Sequence, residues 1–227
     1  MARKTAIGIQ DFSKIIENNC FYVDKTDFIK EWWENMDDVT LITRPRRFGK
    51  TLAMSMTEHF FSVNHTGKGD LFEGLKIWKE AGYRELQGTY PVIFLSFAGI
   101  KEAAYGSACR ELRRLIVREY RKHAFLAESA SLLQAEREEY LNIMAGGLRI
   151  EDLGSSINLL SEYLYRYYDR KVIILLDEYD TPMQEAYVNG FWDEMVSFMR
   201  GFFNATFKTN PYLERGLMTG ITRVSKE

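Results

Sequence analysis

Gly49, Lys50 and Thr51 close a short loop, Arg44-Pro45-Arg46-Arg47-Phe48, with an apolar run before it and a helical pattern after it. Such a loop can hold an anion, because its backbone N–H groups and the N-terminus of the next helix turn unpaired donors and a partial positive charge toward one spot. Lys50 would meet the outer phosphates of a nucleotide as a point charge. The Thr51 hydroxyl would supply one oxygen to magnesium, a cation that keeps several of its waters. Gly49 would let the backbone approach closely, with Arg46, Arg47 and Phe48 completing the cradle. Arg44, Arg46 and Arg47 each read either as a solvated loop charge or as a phosphate clamp. The usual spacing of a phosphate-binding loop (P-loop) has a further glycine five positions before Gly49, where this chain carries Arg44 followed by Pro45.

A second constellation is Val172-Ile173-Ile174-Leu175-Leu176-Asp177-Glu178. Five aliphatic residues deliver two carboxylates to the carboxyl end of a buried strand, where open α/β sheets bind ligands. Asp177 would hold the magnesium shell directly or through water, and Glu178 would polarise the water that attacks the terminal phosphate. Taken alone, Asp177-Glu178-Tyr179-Asp180-Thr181-Pro182 also reads as a polar turn. A lysine-bearing loop after one apolar run and an acidic pair after another are hard to obtain from two unrelated turns. A third run, Gly216 to Arg223, ends in Thr222 and Arg223, which would sense the terminal phosphate or simply face solvent.

These groups need a scaffold that brings several strand ends together. Four apolar runs, Val39 to Thr43, Val92 to Phe97, Val172 to Leu176 and Leu217 to Thr222, alternate with segments of helical spacing. That alternation predicts a mostly parallel sheet with crossover helices, its buried strands reading as continuous hydrophobics. The helices are expected at Thr51 to Phe61, Glu102 to Phe125, Ile157 to Tyr168 and Phe191 to Phe203. The polar stretch Ala127 to Gly154, broken by Gly146 and Gly147, reads as a helical insertion.

The chain has 227 residues, 46% hydrophobic and 27% charged, which suits one sizeable core and excludes a disordered or fibrous chain. A formal net charge of -2 rules out a global field for nucleic acid or anionic lipid, so any such contact must be local. Cys20 and Cys109 are too few for a disulfide framework and read as ordinary thiols. Met1 to Gln10 lacks the apolar region of a secretory signal, and no apolar run approaches the ~20 residues of a membrane-spanning helix, so the reading is cytoplasmic.

Phe21-Tyr22-Val23-Asp24-Lys25-Thr26, the loop from Arg44 to Thr51, Leu71-Phe72-Glu73-Gly74-Leu75-Lys76-Ile77 and Leu176-Asp177-Glu178-Tyr179-Asp180 together resemble the predicted AAA-ATPase-like family, over nearly the whole chain. The resemblance implies a P-loop NTPase three-layer α/β sandwich with an added strand between the two nucleotide motifs. It also implies an Arg-Pro-Arg-Arg-Phe loop, ATP with Mg as ligands and, in many members, a C-terminal nuclease-like domain of the restriction-endonuclease superfamily. The expected arrangement is one ATPase-like domain over 1–227, with a helical lead-in, that stops before the fifth strand, lid or nuclease-like domain. Phe21 to Lys25 would lie near the adenine side or pack on the core, with Asp24 and Lys25 as a surface pair.

Arg110, Arg114, Arg118 and Lys122 recur every four residues and form a positive stripe. It reads as a solvated face partly neutralised by Glu111 and Glu119, with nucleic acid as the alternative. The function expected from these residues is ATP binding and hydrolysis coupled to an attached domain or partner. The alternatives are a nucleotide switch with little turnover and a gate for a nucleic-acid-processing effector.

Overall fold

The computed structural model describes residues 4, 5 and 8–222. In chain order these form α1 (Phe12–Glu17), α2 (Asp27–Glu34), β1 (Val39–Thr43), α3 (Lys50–Phe61), α4 (Ala81–Leu86), β2 (Val92–Ser96), α5 (Tyr105–Lys122), α6 (Gln134–Asn142), α7 (Ser156–Tyr168), β3 (Val172–Asp177), α8 (Thr181–Asn189), α9 (Trp192–Phe203) and β4 (Leu213–Gly220). The strands pair in the order β1-β4-β3-β2, and every pairing is parallel. The added strand between the two motif-bearing strands is therefore β4. Because β1, β3 and β4 run the same way, Thr43, Asp177 and Gly220 all arrive at one end of the sheet.

The sheet is covered on both faces, and β3 shows why. All six of its residues are buried, and successive side chains of a strand point to opposite faces. Ile173 and Leu175 enter a core built with Phe12, Trp32, Met54, Phe60 and Phe72, carried by α1, α2, α3 and the segment after α3. Val172, Ile174 and Leu176 enter a second core with Leu112, Ile116, Leu160, Met195 and Phe202 from α5, α7 and α9. Continuous aliphatics in β3 thus reflect burial on two sides.

Residues 127–154 carry α6 and a π-turn at Ile143–Gly147. The Tyr140 hydroxyl donates to Tyr120 O at 2.9 Å and His123 O at 3.1 Å, which fastens this segment to the end of α5.

Two expectations are corrected. β4 runs from Leu213 to Gly220, where the apolar run predicted Leu217 to Thr222. Its early residues include polar Glu214 and Arg215, the latter with its guanidinium 4.7 Å from the Trp33 ring centre, and its end is cut short because a carboxylate captures the next two N–H groups. The alternative of a polar turn over residues 177–182 holds only as far as Asp180, because Thr181 starts α8, with Pro182 in its first turn, where the missing N–H costs nothing.

No helix among the described residues is long and apolar enough to cross a membrane.

Candidate functional site

β1 ends at Thr43 and α3 starts at Lys50, so residues 44–49 form a tight connection at the carboxyl end of the sheet. Gly49 lies at φ 79° and Arg47 at φ 69°, the left-handed conformations that curl the loop around its own N–H groups. Lys50 Nζ reaches back to donate to Arg44 O at 2.7 Å and Pro45 O at 3.0 Å. The ammonium therefore lies across the loop. Arg44, Arg46, Arg47 and Phe48 are exposed, and Thr51 is half-buried in the first turn of α3. The Thr51 hydroxyl has no hydrogen-bond partner among the described residues.

Asp177 closes β3 and is 1% exposed. Its Oδ1 accepts a hydrogen bond from the Thr219 hydroxyl of β4. Its Oδ2 is buried and has no hydrogen-bond partner. A buried carboxylate oxygen without a donor is costly unless a cation or an ordered water faces it, so this atom fits magnesium. Among the described residues no three His, Cys, Asp or Glu side chains converge on a metal by themselves. A metal here would share phosphate oxygens, water and the Thr51 hydroxyl, as magnesium does when it accompanies a nucleotide.

Glu178 follows at φ 52°, an uncommon conformation for a residue with a Cβ. Its N–H points to Thr219 Oγ1 at 3.4 Å, and its Oε2 receives the Thr181 hydroxyl at 3.4 Å. The carboxylate is thereby aimed by β4 and by the first residue of α8. Thr222 is held beyond the end of β4, where its carbonyl accepts a hydrogen bond from the Tyr179 hydroxyl at 2.9 Å. Arg223 lies outside the described residues.

Sequence reasoning assigned no role to Thr219 and Asp180, which lie within this acidic turn and its partner strand. The signal for Asp180 was its place one turn beyond Asp177 in a motif already singled out. For Thr219 only the strand pairing reveals it.

Next to the loop of residues 44–49 is a cavity of about 410 Å³, lined by Phe21, Tyr22, Val23, Lys25, Gly49 and Leu52 among others. Tyr22 is held in place by Phe12, whose ring centre lies 5.6 Å away, and its hydroxyl lies 3.2 Å from Met56 Sδ. Phe21 is exposed rather than capping a core. Asp24 and Lys25 do not pair. Asp24 accepts Thr26 N at 2.9 Å and Lys76 N at 2.8 Å, which leaves Lys25 to lean toward Gly49. The Lys25 Nζ lies 3.8 Å from the point where a Gly49 Cβ would stand.

The positive stripe on α5 is also redistributed. Glu111 pairs with Arg114 and Glu119 with Lys122 at 2.7 Å, so both partly neutralise the stripe as expected, but Glu119 is buried and also binds the backbone of β2. Arg113, Arg114, Arg118 and Arg121 instead border an open groove of about 530 Å³ against Gly146.

A family model described as Predicted AAA-ATPase matches residues 6–227. The chain is also 26% identical over 230 residues to the uncharacterized protein in the vnfD 5′ region of Azotobacter chroococcum mcd 1. That alignment covers 99% of this chain and 38% of the relative, so the chain spans well under half of the relative's length. No solved structure matches.

Proposed function

Because the chain belongs to the predicted AAA-ATPase family, we propose that it binds ATP with magnesium and hydrolyses it, using the loop from Arg44 to Thr51 and the carboxylates of Asp177 and Glu178. The observation that carries this reading is the orphaned Asp177 Oδ2, buried at a strand end that lies at the same end of the sheet as the loop from Arg44 to Thr51.

Loop N–H groups and the start of α3 would receive the phosphates, with Lys50 turning its ammonium from the Arg44 and Pro45 carbonyls toward them. Arg46 or Arg47 would add a clamp. Thr51 and Asp177 would hold magnesium, which when bound neutralises phosphate charge and orients the chain of oxygens. Glu178, aimed by Thr219 and Thr181, would take up a hydrogen bond from water and direct it in line with the terminal phosphorus. The cavity bordered by Phe21, Tyr22 and Leu52 suits the base and sugar, since it is largely apolar and opens beside Gly49. Arg223 as a sensor, and coupling of nucleotide state to an attached domain or partner, extend the reading beyond the described residues.

A second reading, a nucleotide switch with little turnover, is favoured by the Lys50 contacts, because an ammonium already satisfied by two carbonyls must be drawn away before it serves a phosphate. One experiment separates the two. Mg-ATP should raise the melting temperature of the wild type and not of Lys50→Ala, since a ligand that binds only the folded state stabilises it by mass action. Equal stabilisation of both would defeat the loop assignment. Phosphate release that disappears in Glu178→Gln while stabilisation persists would establish hydrolysis, and stabilisation without release in the wild type would establish the switch.

A further inference from the structure

Asp180 stands at the N-cap of α8, a position where an aspartate ordinarily accepts N–H groups of its own helix. Here it makes no such bond. Its carboxylate is directed across to β4, where Oδ2 accepts Ile221 N at 2.9 Å, Thr222 N at 2.9 Å and the Thr222 hydroxyl at 3.0 Å. Gln184 Nε2 donates to the same oxygen at 2.7 Å. The residue is 1% exposed, so these bonds form where water does not compete.

The tip of β4 is a junction. Gly220 O accepts Arg44 N at 3.2 Å, which ties the tip to the first residue of the phosphate loop. Thr219 O accepts Tyr179 N at 3.1 Å, and the Tyr179 hydroxyl donates to Thr222 O at 2.9 Å. Only a residue without a Cβ fits at 220, because a Cβ there would stand 2.8 Å from Asp180 Oδ1 and 2.8 Å from Tyr179 Cε1. Three segments distant in sequence are thus fixed against one another at the same place, and the Asp180 carboxylate is the group that gathers the N–H groups just after β4.

We infer that Asp180 is a positioning residue that locks the tip of β4 to the acidic turn, setting the spacing between the phosphate loop and the Glu178 carboxylate on which turnover depends. The inference rests on the nucleotide reading above for its link to turnover, but the lock itself can be read without nucleotide. Removing the negative charge should loosen the tip while leaving the Lys50 loop able to hold phosphates, so turnover should fall and binding should not.

The experiment compares the wild type, Asp180→Asn and Thr222→Val, the last removing only the hydroxyl bond and carrying little risk to folding. Amide hydrogen exchange at Ile221 and Thr222 should quicken about tenfold or more in Asp180→Asn and less in Thr222→Val, with β3 amides unchanged. Mg-ATP should stabilise both variants as it does the wild type, while phosphate release falls about 10- to 100-fold in Asp180→Asn, the scale expected of a misplaced catalytic group. Unchanged exchange at Ile221 and Thr222 in both variants would overturn the lock. Quickened exchange with undiminished turnover would overturn its role in positioning. A wild type that neither binds nor hydrolyses ATP would overturn the nucleotide reading, and the exchange data would still decide the lock.

Discussion

The backbone N–H of Phe94 in β2 donates to the Glu119 carboxylate of α5 at 3.1 Å, so a helix side chain satisfies a strand donor at the rim of the sheet. Lys122 Nζ binds the other carboxylate oxygen at 2.7 Å, and His123 lies 3.6 Å from the first. Burial opposes ionisation of Glu119, but the Phe94 N–H, the Lys122 ammonium and the nearby His123 ring outweigh it and hold the carboxyl below its ordinary value of 4.5. With the folded value depressed, this stabilisation is fully present above about 4.5 and is lost as pH falls through the folded value. Glu119→Ala should cost roughly 2–4 kcal/mol at pH 7, since it strands the Phe94 N–H in a buried setting. Chemical denaturation at pH 7 and again at pH 3 checks this, with a smaller deficit expected in acid.

Glu58 on α3 behaves oppositely. Burial, with Glu119 and Asp11 nearby and Lys122 only partly compensating, pushes its carboxyl up to about 7. Both folded and unfolded forms are protonated below about 4.5, so the penalty is absent there, grows as pH rises to 7 and is complete above. Glu58→Gln should therefore stabilise the protein by roughly 1–3 kcal/mol at pH 8 and by almost nothing at pH 4.5. Paired melting curves at the two pH values decide it, and a gain independent of pH would point to packing instead.

Gly49 and Lys25 meet at the front of the loop proposed to hold phosphates. A Cβ on residue 49 would find Lys25 Nζ at 3.8 Å, an ordinary contact, so Gly49→Ala fails through its backbone angle of φ 79° and not through lack of space. A cost of about 1 kcal/mol is expected from that angle alone. Lys25→Ala should leave the melting temperature unchanged, because the exposed ammonium makes no ion pair among the described residues. It should weaken Mg-ATP binding about 3- to 10-fold, more at low salt than at high salt. Calorimetric titration at two ionic strengths separates this from an indirect effect.

How much of this was legible in the sequence varied with the kind of constraint. β3 was readable because burial on two sides demands unbroken aliphatics, β1 and β2 because each is a short apolar run closed by polar or turn residues, and α3 because Leu52, Met56 and Phe60 repeat at helical spacing. The position of β4 between β1 and β3 followed from the family likeness, whereas its span did not, since Glu214 and Arg215 interrupt the apolar signal. Glu119 pairs with Lys122 as the stripe reading had it, but its burial was missed although it lies three residues after Ile116 and seven after Leu112, on the face that those residues bury. A charged residue on that face asks which buried donor it serves. Thr219 was out of reach for a different reason: its partner is about forty residues away and only pairing of the strands brings them together, whereas Asp180 stood within the acidic motif and only its partners were hidden in the same way.

Glu178 at φ 52° adds one more consequence. Glycine is at ease at such an angle and glutamate is not, so replacing Glu178 by glycine should relieve on the order of 1 kcal/mol of backbone strain. A library of variants selected only for survival on heating would then enrich that glycine, and with it molecules stripped of the proposed water-directing carboxylate. At this position durability and the proposed chemistry favour different residues.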